Sequence, residues 1–373
     1  MAKRITALDV ARGTAMVLVC LSHFTTIYAL TTGVTFELVV YLTMTAAPTF
    51  MLISGIMLGF FFATKKQEFP RIKRNFITRG IFFLTISRVI ITIAHIPISH
   101  GLYESLKFVY ITDSIGLNII LGPILIGLLR PRARIALGVA GMVVSWLIIV
   151  LWNPESTLFD VVKEAFFGDL AIDHSHFLNY AFPFLPWFSL YFVSTCFGEA
   201  LGAYKIARTG PADIARYLAR AGLAAVTVTI VVNVVFRLWA LSQPVSESVT
   251  NWLVNPFQKA PPSIMYFVLY GGLGLLMVAA CFRWQAASWL RSYSEFAAVL
   301  GRNSLFVFML QYYWYYVILY MANLHYSFFW PLYFLASMLS LFVVAKLWEV
   351  RDLNRLFTFK MLVAPREARH PSS

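Results

Sequence analysis

The stretch Leu8 to Phe24, LDVARGTAMVLVCLSHF, decides how the rest of the chain is read. It is apolar over a length that crosses a lipid bilayer as a helix, yet it carries Asp9, Arg12 and His23. Ionisable groups are expensive inside a membrane and are retained there chiefly for function. Arg12 and His23 are eleven residues apart, about 1,100° of helical rotation, so they share one face within about 20° and lie roughly 16 Å apart along the axis.

Outward from this stretch, apolar runs of similar length recur almost to the C-terminus. The chain has 373 residues, of which 60% are hydrophobic and 13% charged, about half the charge content of a soluble domain. The runs predict an all-α, polytopic integral membrane protein of about ten spans: 8–30, 36–63, 76–98, 108–129, 133–152, 180–204, 219–241, 262–283, 297–323 and 327–348. The first is expected to remain in the mature protein, because it is long, carries charge and has no small-residue cleavage site behind it. Residues 1–350 form a single transmembrane domain, and 351–373 a basic tail that begins as an amphipathic stretch, Arg351 to Lys360.

Lysine and arginine set the orientation, since short cytoplasmic loops retain positive charge. With the N-terminus inside, the cytoplasmic side collects Lys3, Arg4, Lys65, Lys66, Arg71, Lys73, Arg74, Arg79, Arg130, Arg132 and Arg134. It also takes Lys205, Arg208, Arg216, Arg220, Arg283, Arg291, Arg351, Arg355, Lys360, Arg366 and Arg369. The outer loops keep Lys107, Lys163 and Lys259. Both termini are therefore expected inside, in a multi-pass protein of the plasma (inner) membrane.

The net charge of +13 follows from this topology and from attraction to anionic lipids. It argues against nucleic acid as a partner, because no single basic face with stacking aromatics is present. Cys20, Cys196 and Cys281 all fall within predicted spans and build neither a disulfide framework nor a metal pattern. The long outer loop 153–179 is acidic, with Glu155, Asp160, Glu164, Asp169 and Asp173 beside His174 and His176. A second outer loop, 242–261, holds Asn251, Trp252 and Asn255. Both can cover an outward-facing mouth. No fixed-period repeat and no paired helix breakers of the transporter kind are seen.

On the first span, a cation at the inner surface and an imidazole deeper along the same stripe suit a ligand with an anionic head and a long reactive arm. Arginine holds phosphate with a planar fork of donors, and histidine serves as a general base near neutral pH. The bland alternatives are a topology-setting Arg12 paired with Asp9 and a His23 hydrogen-bonded between packed helices. Arg88 and His95 share a face of the third span, and Asp113 and Asn118 lie on the fourth; an Arg88 to Asp113 ion pair is the structural reading of that group. Asn233 and Arg237 form another single-face pair, suited to a glycan or lipid-phosphate acceptor or to helix packing. Asn303, Ser304 and Gln311 are weaker candidates. Ser54 and Gly55 are read as small residues for close helix approach. In the basic run Lys65 to Arg79, Arg74 and Arg79 can add phosphate contacts, beside the ordinary positive-inside reading.

At these residues the sequence resembles two groups of membrane acyltransferases, acyltransferase family 3 and the heparan-alpha-glucosaminide N-acetyltransferase-like proteins. Arg4, Leu8, Asp9, Arg12, Gly13 and His23 match an R-x-x-x-L-D-x-x-R-G opening with its histidine after ten further positions. Similar segments follow in order: Pro48 to Gly55, Arg79-Gly80, Asp113 to Gly116, Pro183 to Trp187, Gly198 to Gly202, Lys259 to Ser263 and Gly301 to Leu305. The resemblance implies an acyl-CoA donor, most simply acetyl-CoA, bound near the cytoplasmic face by Arg12, with His23 as base. No permanently bound cofactor and no metal are expected. It also implies a sugar or cell-envelope glycan acceptor, modified on oxygen or nitrogen, for which Arg88, Asp113, Asn233 and Arg237 are the substrate-binding candidates. The reactive histidine of the lysosomal enzyme lies beyond the first helix in a longer loop. Direct transfer, with histidine as base only, is thus the simpler expectation here. The rival is a transporter or flippase for a lipid-linked glycan, which would need coupling carboxylates at mid-membrane, with Asp113 the best available. A non-catalytic sensor or assembly factor would tolerate loss of His23.

Overall fold

A computed structural model describes residues 5–28, 34–99, 101–169, 178, 182–207, 210–242, 253–284, 287–322 and 329–357. Lys3, Arg4, Asp173, His174, His176, Arg208, Asn251, Trp252, Lys360, Arg366 and Arg369, on which the sequence reading leans, lie outside the described residues. Among the described residues the chain is helical and contains no strand. The helices are α1 (Thr6–Tyr28), α2 (Val34–Thr43), α3 (Ala46–Thr64), α4 (Phe69–Phe82), α5 (Arg88–Ser99), α6 (Leu102–Lys107), α7 (Ile111–Leu125) and α8 (Pro131–Leu151). They continue with α9 (Thr157–Phe166), α10 (Phe184–Ile206), α11 (Pro211–Ala240), α12 (Ile264–Trp284), α13 (Arg291–Arg302), α14 (Ser304–Tyr313) and α15 (Trp330–Val350).

Among the described residues, seven helical stretches are long and apolar enough to cross a membrane: α1, Phe36–Thr64, Phe69–Ser99, α8, α11, α12 and α15. The other predicted spans are helical as well: α7, α10, and Ser304–Leu319, in which α14 runs on into a π-helical turn. The protein is therefore an all-α, polytopic membrane protein. Its lipid-facing surface is plain on α8, α11 and α15, where residues such as Val139, Leu151, Val235, Leu238, Leu335 and Leu339 are more than half exposed. So much apolar surface needs hydrocarbon around it rather than water.

Three predicted spans are less regular than their apolar lengths suggest. The 36–63 run breaks at Met44 and Thr45 between α2 and α3. The third span carries a π-helical turn at Phe83–Ser87 between α4 and α5. The 297–323 run breaks at Asn303, whose side-chain amide donates to the carbonyl of Val299 while its Oδ1 accepts from Asn354. A short polar side chain that bonds local backbone competes with helix continuation, and the break lets α14 start afresh beside α1.

Helix α1 lies at the centre, against α3, α12 and α13. Small residues permit its closest crossing. A Cβ on Gly13 would stand 1.7 Å from the carbonyl oxygen of Ala297, and one on Gly301 1.9 Å from that of Asp9. Neither space admits a side chain, so α1 and α13 touch backbone to backbone. Gly55 and Gly198 do the same for α3 and α10, where added Cβ atoms would meet Ser194 and Ile56. The small-residue reading holds for Gly55, whereas Ser54 faces the interior cavity described below.

Candidate active site

Arg12, Met16 and Val19 occupy successive turns of one face of α1, and all three line a cavity of about 190 Å³. His23 continues the same stripe one turn further. Phe50, Ser54 and Met57 of α3, Phe76 and Arg79 of α4, Thr112 and Ile115 of α7, and Ser304, Leu305 and Phe308 of α14 complete much of the wall. Most of this lining is aromatic or aliphatic. The cationic groups are gathered: Arg12 and Arg79 share the cavity, and their charges act on one another. Arg12 is half-buried and Arg79 exposed at the cavity's edge, and two like charges held this close favour an anion between or beside them. Arg79 also lies over the Phe83 ring at 5.9 Å. The hydroxyl of the buried Thr112 has no partner among the described residues.

His23 stands beyond the far end of this cavity and is not one of its lining residues. Its imidazole is ringed by α14 and the π-helical turn after it. The centroids of Tyr312, Tyr316 and Phe308 lie 5.1, 6.0 and 6.3 Å from its own. Phe308 thus belongs to both the cavity wall and the histidine's surroundings. The fully buried Gln311 places its Nε2 3.1 Å from Nδ1 of His23, and its Oε1 has no partner among the described residues. His95 joins the same aromatic group, 5.6 Å from Tyr316 and 6.4 Å from Tyr312.

The remaining predicted residues divide. Arg88 and Asp113 form an ion pair. Arg88 also donates to the carbonyl of Leu106 at 2.8 Å and lies 5.0 Å over the Tyr110 ring, while Asp113 accepts from the backbone N–H of Tyr110 at 2.8 Å. Their fork and carboxylate are thereby engaged in holding the start of α7, the structural alternative weighed above, and neither lines the cavity. Tyr110, held in this way, packs on His95 and Tyr312. The pair therefore buttresses the aromatic group around His23. Arg74 is exposed on α4, outside the cavity lining. Asn233 donates to the carbonyl of Thr229 on its own helix at 2.9 Å, and Arg237 is exposed. The structure does not bring that pair to the cavity, because α11 lies on the bundle's flank against α12.

Gln311, Tyr312, Tyr316 and Ser304 reach the site without having stood out strongly in the sequence. Their spacing was the available signal: Ser304, Phe308, Gln311, Tyr312 and Tyr316 fall on one helical face at steps of three and four. The motif segments support this frame. Arg302 makes a two-pronged contact with Glu349, at 2.7 and 3.2 Å, which ties the α13–α14 junction to α15. Ser263 caps α12 by accepting from the N–H of Tyr266 at 2.9 Å, and fixes the loop before it by donating to the carbonyl of Asn255 at 2.6 Å.

The sequence model described as "Heparan-alpha-glucosaminide N-acetyltransferase, catalytic" matches residues 4–226, from just before α1 to the middle of α11. No curated protein and no solved structure matches the chain. The matched stretch is more than half of the chain and includes Arg12, His23, Arg79, Arg88 and Asp113. This chain belongs to the heparan-alpha-glucosaminide N-acetyltransferase family of membrane acyltransferases.

Proposed function

We propose that the protein moves an acyl group, most simply acetyl, from cytoplasmic acyl-CoA to a sugar or cell-envelope glycan presented at the opposite membrane face. One observation carries this reading. A single cavity follows the α1 stripe from two arginines to the turn preceding a histidine. The phosphates of the donor would sit on Arg12 and Arg79, with Arg74 at the rim, and the pantetheine arm would lie along the apolar lining toward His23. In this reading both termini face the cytoplasm, the ten helical spans all cross, and the membrane is the plasma (inner) membrane.

His23 then takes the proton from the acceptor's hydroxyl or amine at Nε2 as that group attacks the thioester carbonyl. The tetrahedral intermediate expels the CoA thiolate, which recovers the proton from the imidazolium. A base at Nε2 needs its resident proton on Nδ1. Turning the Gln311 amide over would give that proton an acceptor in Oε1, the atom otherwise buried without a partner among the described residues. Phe308 lines the cavity and its ring lies 6.3 Å from that of His23, so in this reading a turn of this ring would open a way for the thioester.

The transporter reading loses force because its best coupling carboxylate, Asp113, is engaged by Arg88 and by the Tyr110 N–H. The test uses purified protein in nanodiscs with radiolabelled acetyl-CoA and a mixed glycan pool. Label transfer that disappears in His23→Ala, with folding unchanged, is expected. Glycan translocation without transfer would reverse the assignment.

A further inference from the structure

The loop 153–179 reads in sequence as an acidic cover, yet its helix α9 is built the wrong way round for water. Leu158, Phe159, Val162 and Phe166 fall within about 100° of one another around the helix. All four are exposed, Leu158 at 69% and Phe159 at 56%. The charged Lys163 and Glu164 are instead buried. Lys163 pairs with Asp169 at 2.7 Å, and Glu164 accepts from the backbone N–H of Leu178 at 2.8 Å. A helix on a water-facing surface turns its charges out and its apolar stripe in. Here both are reversed, which leaves two phenylalanines, a leucine and a valine turned towards a partner that is not water.

The position of α9 names that partner. In its first turn Phe159 lies 6.4 Å from the ring of Trp152, the residue that caps the end of α8. In its last turn Phe166 lies 5.9 Å from the ring of Phe184, the first residue of α10. Helices α8 and α10 run antiparallel, with Gly138 beside Val193 and Gly141 beside Leu185. Thus α9 joins two span ends on one membrane face, at the level where the apolar core of a bilayer gives way to headgroups. Its exposed arc also continues the lipid-facing surface of α8, which runs through Val139, Val143 and Leu147 to Leu151, 74% exposed. Trp152 stands at the junction, where an interfacial aromatic belongs.

We propose that α9 is an interfacial membrane helix, with Leu158, Phe159, Val162 and Phe166 among lipid acyl chains, so that the loop 153–179 is moored to the bilayer surface. Lys163 and Glu164, turned to the protein, then tie the rest of the loop to this moored helix. The test places single nitroxide spin labels on the full-length protein in phosphatidylcholine nanodiscs. Accessibility is measured to oxygen, which concentrates in lipid, and to a water-soluble nickel chelate, with the unsubstituted protein as the control for its native cysteines. Leu158→Cys, Phe159→Cys and Val162→Cys are expected to show the same oxygen preference as Val143→Cys on the lipid face of α8. Glu155→Cys, just before the helix, should show the nickel preference of water. Added salt should leave these ratios unchanged, because apolar area and not charge makes the contact. Nickel preference at all three arc positions would put the helix in water and overturn the proposal. Labels shielded from both reagents would overturn it as well, since a second copy or another segment of this chain would then cover the arc. Three positions carry the same readout, so one variant that failed to fold would leave the outcome decided by the other two.

Discussion

Helices α1 and α11 are each long, apolar and marked by an arginine with a second polar side chain on one face: Arg12 with His23 on α1, Arg237 with Asn233 on α11. Half of the apolar stretch of α1 is buried inside the protein, against 11% of that of α11. The α1 pair flanks a cavity and an aromatic group supplied by other helices. On α11, Asn233 satisfies its donor on its own backbone and Arg237 is exposed. An intramembrane charge therefore reads as a site only when neighbouring elements close around it. A helix at the flank can keep the same residues near its end by snorkelling, with no ligand involved.

The largest effect that would separate the two helices is loss of the proposed base. His23→Ala should lower kcat by about 10²- to 10⁴-fold, the usual contribution of general base catalysis, with little change in donor KM. A variant within tenfold of wild type in single-turnover transfer would break the contrast at its root. Gly13→Val comes next. Its added Cβ meets the carbonyl oxygen of Ala297, so α1 and α13 must separate, at a cost of about 3 kcal/mol. Thermal unfolding in detergent should show a clear drop, which Val231→Ala on the lipid face of α11 should not. Arg12→Ala and Arg79→Ala sharpen the picture further. In the proposed donor site each removes a charged phosphate contact and should raise donor KM roughly tenfold or more, with the smaller change in kcat. Equal effects on an acceptor KM would move those arginines out of the donor site.

Much of the fold could be read directly, because a span of lipid demands a minimum apolar length and each of the ten predicted runs is largely helical among the described residues, with breaks at Met44–Thr45 and Asn303. The Arg88–Asp113 pair was legible for the same kind of reason: a buried charge needs a partner, and these were the two at matching depth. What stayed hidden depends on which helices meet. The break at Asn303 lies in an apolar run whose other residues continue a helix without objection. Gln311 reads as one more amide in a span until α14 is laid against α1 and its side chain reaches His23. Arg237 and Asn233 were indistinguishable from site residues because helical periodicity reports a shared face and not what that face touches.

The smallest expected effect is the most direct check on that last point. Arg237→Ala and Asn233→Ala, singly or together, should leave acyl transfer within about twofold of wild type and stability within about 0.5 kcal/mol, as surface changes do. Asn233 loses a bond only to the Thr229 carbonyl of its own helix, which already belongs to a backbone ladder. Arg237 is in the last turn of α11, where a cation has a modest favourable interaction with the helix dipole. If the double variant instead raised the acceptor KM tenfold while sparing the donor KM, an acceptor would have to bridge from the flank of α11 to His23. The acceptor would then be an extended glycan or a lipid-linked one rather than a single sugar, and the division between α1 and α11 would have to be redrawn as two ends of one binding surface.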